Sequence, residues 1–207
     1  MTELKLPTEY IDDAEISISE LATNAHLHPE DPSTPPEIWI WASTAPLPEL
    51  VFSVFDACRN RLPLPSRRAP DALEEHGNGL AIVQSLAYET SSYYTRSRLA
   101  PKPVQGKVTR FTQVVSIPWP KPEHAITEPI AAVRLLLALQ SRGVSASLRR
   151  AMSALNVVIH DELVVRANVD AYHWRALPGH CTFPFIDLHE TVEAVIAHVD
   201  ASSECRT

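Results

Sequence analysis

Prolines restrict the folding of this chain more than any other feature, because it has 18 of them and only five glycines in 207 residues. A proline fixes its own φ angle, offers no backbone N–H and pushes the preceding residue towards extended geometry, so helices and central strands must fit between prolines. Many of the prolines lie within residues 29–36, 63–70 and 118–129. We therefore expect loops or linkers there and regular structure between them.

The composition excludes several classes of protein. Hydrophobic residues make up 45% of the chain and charged residues 21%, which is typical of a globular protein and not of a disordered or fibrous one. No stretch approaches the roughly 18 unbroken apolar residues of a membrane span. The N-terminus MTELKLPTEYIDD lacks the basic start and apolar core of a signal peptide. These features predict a cytoplasmic protein that does not bind a membrane.

Charge and cysteine content narrow the functions further. The net charge of −7, with no run of Lys or Arg, argues against a nucleic-acid surface, because phosphate binding needs a concentrated basic patch. This composition fits a protein partner or a small ligand better than a nucleic acid. The three cysteines (Cys58, Cys181 and Cys205) are an odd number with no close pairing, so we expect free thiols and no disulfide framework.

Hydrophobic periodicity predicts an α+β unit that ends near residue 117. Residues 9–28 have apolar positions at helical spacing, residues 37–43 and 50–56 have the composition of two neighbouring antiparallel strands, and a second helix begins at Gly79. Two further β-like runs, 88–96 and 107–117, predict a hairpin with a long loop. The Pro- and Arg-rich segment 57–76, between the second strand and the second helix, has no periodicity, as in many lids and binding loops.

The second half of the chain predicts a small separate α+β module, 130–207, after a stiff proline-rich linker at 118–129. We expect a helix over 130–142 closed by Gly143, and a short helix over 147–155. A hairpin should follow with its turn at His160 and Asp161, then a strand over 171–176 and a final helix over 187–199.

The first helix carries the first candidate site residues. Glu20 and Asn24 are four residues apart and share one face, opposite the apolar stripe. This pair is either an ordinary solvated face or a functional pair, in which the Asn24 oxygen binds a phosphate-associated Mg²⁺ beside a carboxylate. Hard cations prefer oxygen ligands and keep several waters, so one protein oxygen plus phosphate oxygens can suffice.

Two further candidates follow along the chain. Asp56 ends a predicted strand, where it would either meet a ligand or bond its own backbone in a turn. Gly77 and Gly79 come directly before a helix, where the backbone can approach an anion at the helix N-terminus. They could also form a simple turn. The spacing is neither that of a Rossmann fingerprint nor that of a P-loop.

Together, in this order, these segments resemble the N box, G1 box and G2 box of the GHKL (Bergerat-fold) ATPases. The segments are SELATNAHLH (19–28), LVFSVFD (50–56), EEHGNGLAIVQSLA (74–87) and GKVTRF (106–111). Within that family, residues 10–117 are most similar to the bacterial anti-sigma-factor serine kinases. The resemblance implies a two-layer α/β sandwich, ATP and Mg²⁺ as cofactors, and a sigma factor or an anti-anti-sigma protein as partner.

The resemblance also assigns roles to individual residues. It implies that Glu20 is the catalytic carboxylate, Asn24 the Mg²⁺ ligand and Asp56 the residue that reads adenine. Gly77 and Gly79 would be the lid glycines near the phosphates. We expect Lys107, in the closing strand, to be an exposed strand residue.

Three departures from the family pattern favour a rival interpretation. Cys58 replaces the glycine of the G1 box, and Asn78 replaces an arginine that is frequent between the G2 glycines. Only about ten residues precede the N-box helix, which predicts an N-terminally shortened domain whose open sheet edge associates with itself or with a partner. The rival is a non-catalytic interaction module with a degenerate nucleotide pocket. A truncated reading frame without a stable fold of its own is a third possibility.

The second half offers weaker chemistry. Its candidate metal ligands lack the spacing of a zinc site, so we expect ordinary surface histidines. These residues are His160, His173, His180, Cys181, His189 and Glu193. Tyr172 and Trp174 alternate on a predicted strand and should lie in the core or contact a partner.

Overall fold

The computed structural model of the chain describes residues 6–27, 33–59, 62, 79–116, 119, 124–151, 154–160, 162–176 and 179–204. The chain forms two units, each with one antiparallel sheet and two helices, so the predicted α+β class is confirmed. Unit 1 comprises Met1–Ala42, Pro48–Ala100 and Val104–Ile117, and unit 2 comprises Ser43–Leu47, Pro101–Pro103 and Pro118–Thr207. None of the described helices is long and apolar enough to cross a membrane.

Unit 1 contains all the elements that the periodicity predicts for this half of the chain. The sheet has the strand order β1-β2-β4-β3. The elements are α1 (Thr8–Leu27), β1 (Glu37–Ser43), β2 (Glu49–Asp56), α2 (Gly79–Leu86), β3 (Glu89–Arg96) and β4 (Gln105–Val114). The central strand β2 is buried along almost its whole length, which requires cover on both faces of the sheet.

One face of this sheet carries an aromatic cluster. Trp39 and Trp41 pack with Val51, Phe55 and Val108, and no helix residue is among the described members of the cluster. Because α1 contacts β2 and α2 contacts β3, the two helices pack on the opposite face.

A buried carboxylate and a guanidinium complete the aromatic cluster. The Arg98 guanidinium stacks over the rings of Trp39 and Trp41, at 4.4 and 4.7 Å from their centroids. The buried Glu37 carboxylate accepts hydrogen bonds from the Trp39 indole N–H and from the backbone N–H groups of Arg98 and Leu99. These bonds fix the start of the β3–β4 loop against β1.

Unit 2 is built on a five-stranded sheet in the order β5-β6-β7-β8-β9. Its elements are α3 (Glu128–Ser141), β5 (Ala146–Ala151), β6 (Ala154–Ile159), β7 (Leu163–Asn168), β8 (Ala171–Ala176), β9 (Gly179–Pro184) and α4 (Leu188–Glu204). The predicted first helix, the hairpin β6–β7, the strand β8 and the final helix are confirmed. Gly143 closes α3 with φ 67°, as its position predicts.

The short helix predicted over residues 147–155 is wrong, because this segment forms β5 and the start of β6. Its helix-forming residues suggested a helix, but its burial follows a period of two. Ala146 and Leu148 pack against the core while Ser147 and Arg149 are exposed. Pairing with β6 along six residues then outweighs the weak helix propensity. The strand β9 was not predicted from the sequence.

The core of unit 2 lies between one face of the sheet and the two helices α3 and α4. Tyr172 and Trp174 are buried in it, which confirms the core alternative for this pair. The Tyr172 hydroxyl donates to the Ala131 carbonyl at 3.0 Å, and burial raises the pKa of Tyr172 to about 12. Arg142 and Glu193 form a buried ion pair at 2.7 Å between the end of α3 and α4.

Several predicted features lie outside the described residues. These are Gly77 and Asn78, most of the segment 57–76, residues 118 and 120–123 of the linker, and Cys205.

Candidate functional site

The polar face of α1 meets the first residue of α2. Gly79 lies so close to α1 that a Cβ atom placed on it would be 2.5 Å from Glu20 Oε2 and 3.2 Å from Asn24 Nδ2. Glu20 and Asn24 therefore lie next to the N-terminus of α2. Their four-residue spacing in α1 and the packing of α1 on α2 bring them there. Only a glycine fits at this approach without moving a side chain.

These three residues differ in what they offer a ligand. Asn24 is exposed, so its amide oxygen is accessible to a cation, whereas Glu20 is half-buried. Gly79 begins α2, and the first N–H groups of a helix have no partner within the helix. The exposed Asn24 amide group, the Glu20 carboxylate and the N-terminus of α2 thus lie together at one place, a combination that fits a magnesium-bound phosphate group.

A second polar group lies at the end of β2. Asp56 Oδ1 accepts a hydrogen bond from the Cys58 backbone N–H at 2.9 Å, so the local turn expected of a strand-end aspartate is present. Asp56 Oδ2 also lies 3.5 Å from Lys107 Nζ, and both side chains are mostly buried. The expectation that Lys107 is an exposed strand residue is wrong, because the β2–β4 register places it directly opposite Asp56.

The same register adds residues that sequence reasoning did not find. Tyr94 pairs with Lys107, and the Arg59 guanidinium lies 4.9 Å from the centre of the Tyr94 ring. In the next row, the Ser92 hydroxyl donates to Thr109 Oγ1 at 3.2 Å. The alternating pattern of the hairpin strands could have placed these side chains on one face, but not opposite Asp56.

Gly106 fixes the close approach of β2 and β4 beside Asp56. A Cβ at this position would lie 2.3 Å from the Asp56 carbonyl oxygen and 2.6 Å from the Phe55 ring. No side chain fits there, so glycine allows the strand end that carries Lys107 to come close to Asp56.

The two groups share one side of the sheet. Side chains alternate along a strand, so Asp56 points to the face opposite Phe55 and its aromatic cluster, which is the face that carries α1 and α2. Within the described part of the chain, no hydrogen bond or ion pair joins Glu20 or Asn24 to Asp56 or Lys107. The structure thus brings Glu20, Asn24 and Gly79 together and places Asp56 with Lys107 as a separate group on the same side.

The described residues contain no group of three or more His, Cys, Asp or Glu side chains that could hold a metal ion. In the second half, His173 bonds Thr182 Oγ1 and the Asn168 carbonyl, and Glu193 pairs with Arg142. Glu193 is therefore a buried residue that pairs with Arg142 in the core of unit 2.

The chain was compared with protein-family models, with curated proteins and with solved structures, and none of the three comparisons finds a match.

Proposed function

We propose that unit 1 binds Mg-ATP and regulates a partner protein, in the manner of the GHKL anti-sigma-factor serine kinases that its motifs resemble. The observation that carries this proposal is the contact of Gly79 with Glu20 and Asn24. Two motifs that are about 55 residues apart in the sequence lie next to each other in space. They contain the residue types that a site for a magnesium-bound phosphate needs. The partner would be a sigma factor or an anti-anti-sigma protein in the cytoplasm.

Each residue of the site has a role in this proposal. The Asn24 amide oxygen would hold Mg²⁺, which would supply positive charge to offset that of the phosphate oxygens. The N–H groups at the start of α2 donate to a phosphate. Asp56 accepts a hydrogen bond from the exocyclic amino group of adenine. Gly77 belongs to the same phosphate site by resemblance.

Glu20 would serve as the general base if the protein transfers phosphate. In that step Glu20 would accept the proton of a partner's seryl hydroxyl while a bond forms between the serine oxygen and the terminal phosphorus, the bond from that phosphorus to the ADP oxygen breaks, and ADP leaves. Positioning and charge stabilisation supply most of the rate in such reactions, so the carboxylate must be held close to the phosphate site. Its position beside Gly79 supports this role.

A specific observation favours a second candidate, a non-catalytic interaction module. The Asp56 carboxylate already bonds the Cys58 N–H and the Lys107 ammonium group, so an adenine would have to compete for it. In this alternative the Asp56–Lys107 pair stabilises the strand ends, and the nucleotide pocket has lost its function.

Calorimetric titration with Mg-ATP and Mg-ADP distinguishes the two candidates. We expect saturable binding by the wild-type chain and, because a methyl group cannot replace an oxygen ligand, weaker Mg²⁺-dependent binding by Asn24→Ala. Thr23→Ala is the matched control, since Thr23 is the exposed neighbour of Asn24 on α1. Absence of nucleotide binding in the folded wild type would leave the interaction module.

Glu20 is tested separately by Glu20→Gln, with Glu15→Gln as a charge-matched control on the exposed face of α1. We expect Glu20→Gln to retain nucleotide binding and to lose any ADP production, because the carboxylate is needed only to take the proton. Equal ADP production by Glu20→Gln and the wild type would remove the catalytic role from Glu20.

A further inference from the structure

The ladder between β7 and β8 in unit 2 is short. It consists of three residue pairs, from Asn168↔Ala171 at the turn to Arg166↔His173. By contrast, β8 pairs with β9 along its whole length. The ladder ends at Arg166 and His173, and the parts of β7 and β8 beyond this pair line a cleft.

A cavity of about 580 Å³ occupies this cleft. Its volume lies within the range that holds small organic ligands. The lining comes from the last ladder pair, from the parts of the two strands beyond it, and from the start of β9. The lining residues are Glu162, Leu163, Val164, Arg166, His173, Trp174, Arg175 and His180.

The cavity contains uncompensated positive charge. Arg166, Arg175 and His180 are exposed, and no other residue in the described part of the chain makes a hydrogen bond or ion pair with their side chains. The lining includes one carboxylate, that of Glu162. Glu162 lies four residues from Arg166, about 13 Å along an extended chain, so it does not neutralise this guanidinium directly.

The strand registers bring the three basic side chains to one face. Arg175 is directly opposite His180, where Cβ atoms are about 5 Å apart. Arg166 is opposite His173, which is two residues from Arg175 on the same face, and Arg166, Arg175 and His180 line the same cavity. Two guanidiniums and an imidazole that line one cavity can converge on the oxygens of one tetrahedral anion.

We propose that this cleft is a binding site for a small organic phosphate monoester. Arg166 and Arg175 bind the phosphate oxygens through their planar donor pairs, and His180 donates to the same group. Leu163 and Val164 provide an apolar wall for the organic part of the ligand. The cavity is too large to be filled by inorganic phosphate alone.

The chemistry of the sheet face argues against single-stranded nucleic acid as the ligand. Such ligands need exposed aromatic rings on which their bases stack, in addition to a positively charged groove. Tyr172, Trp174 and Phe183 all pack against the core, and Trp174, which also lines the cavity, is only 4% exposed and stacks on Phe183. The described outward face of β7–β9 is left with charged, polar and aliphatic side chains.

The test is a titration of the ¹⁵N-labelled full chain with phenyl phosphate, followed in ¹H–¹⁵N spectra. We expect saturable shifts at the amides of Val164, Arg166, Arg175 and His180. The variant Arg166→Gln/Arg175→Gln should bind at least about tenfold more weakly, because each lost charged hydrogen bond contributes substantially. Both residues are exposed, so the variant should fold, which a thermal melt checks.

Arg149→Gln is the matched control. Arg149 is exposed on β5, opposite Asn156 on the same sheet face, and does not line the cavity. Its substitution should leave affinity within about twofold, since charge screening limits its effect at this distance. An equal loss of affinity in Arg149→Gln and in the double variant would show that binding depends on the overall positive charge of this sheet face and not on the cavity. That result would overturn the proposal.

Other ligands define the remaining outcomes. Absence of saturable shifts at these amides, or equal affinity in the double variant, would overturn the proposal. Equal affinity for benzoate would indicate that the site binds carboxylates as well as it binds phosphates. Equal affinity for inorganic phosphate would show that the organic part of the ligand does not contribute to binding. Tighter binding of an oligonucleotide would indicate a nucleic-acid site. Each of these results contradicts the proposal. Asn24→Ala should bind phenyl phosphate normally, so this result is separate from nucleotide binding by unit 1.

Discussion

At the scale of single residues, Gly106 is the glycine whose surroundings leave the least room for a side chain. A methyl group there would meet the Asp56 backbone oxygen and the buried Phe55 ring, neither of which can move cheaply. We expect Gly106→Ala to lower the free energy of unfolding in urea by about 2 kcal/mol or more, as for other overpacked sites. Gly179→Ala is the control, because no atom of the described residues lies within 4 Å of its added methyl group. Equal stability of the two variants would contradict this account.

Gly79 should respond differently from Gly106. The atom that a methyl group would meet first is Glu20 Oε2, at the end of a flexible side chain that can rotate away. We expect Gly79→Ala to change the free energy of unfolding by less than about 1 kcal/mol, the ordinary effect of a tolerated substitution. Because Glu20 and Asn24 must shift, Mg-ATP affinity should fall. Unchanged affinity in calorimetry would show that this contact is not part of a nucleotide site.

Asp187 gives unit 2 a specific dependence on pH. Its carboxylate accepts hydrogen bonds from the Thr44 N–H and hydroxyl and from the Ala45 N–H. Burial nevertheless outweighs these donors and raises the pKa of Asp187 above 3.8, and the nearby Glu190 acts in the same direction. The folded state therefore holds a proton at pH values where the unfolded state has released it.

The sign of the effect follows from this difference. Asp187 contributes most to stability below its unfolded pKa, and that contribution is lost as the pH rises through the raised folded pKa. We expect the free energy of unfolding of the wild type, minus that of Asp187→Asn, to decrease from pH 3.5 towards neutrality in urea titrations. An increase with pH would show that the Thr44 and Ala45 donors outweigh burial.

At the scale of elements, the Arg142–Glu193 pair joins α3 and α4. Both side chains are almost fully buried. Removing one partner leaves an uncompensated charge in the core, so we expect Glu193→Ala to cost about 3–5 kcal/mol in urea unfolding. The double variant Arg142→Met/Glu193→Met should recover most of this loss, because the remaining charge is gone. A double variant as unstable as Glu193→Ala would indicate that packing, not charge, is responsible.

Elements with strong periodicity were predictable from the sequence, and α1 is the clearest case. Its apolar stripe predicts the helix and also the shared face of Glu20 and Asn24. The strand β5 was not predictable, because its alternation is short and helix formers fill it. The Arg142–Glu193 and Asp56–Lys107 pairs join residues 51 positions apart, and local periodicity carries no information about such long-range pairs.

At the scale of the whole molecule, we expect β1 to mediate self-association. It is an edge strand of the unit 1 sheet, and the side chains of Ile38 and Ile40 are 47% and 54% exposed. Edge strands with exposed apolar residues tend to pair with another chain. We expect the sedimentation coefficient to rise with protein concentration and Ile40→Lys to abolish this rise.

Val169→Lys is the control for this prediction, because Val169 is an exposed apolar residue in a turn of unit 2. It should leave self-association unchanged. A wild type that remains monomeric at all concentrations would contradict the role of β1.

The short ladder between β7 and β8 also has a consequence for local opening of the native state. The strands β5, β6 and β7 are joined by long registers, and so are β8 and β9, but only three residue pairs connect the two sets. Subglobal openings follow the weakest connection in a structure. Amide protons of β8 that bond across to β7 should therefore exchange with solvent sooner than those between β5 and β6, and a ligand that bridges the cleft should slow them first.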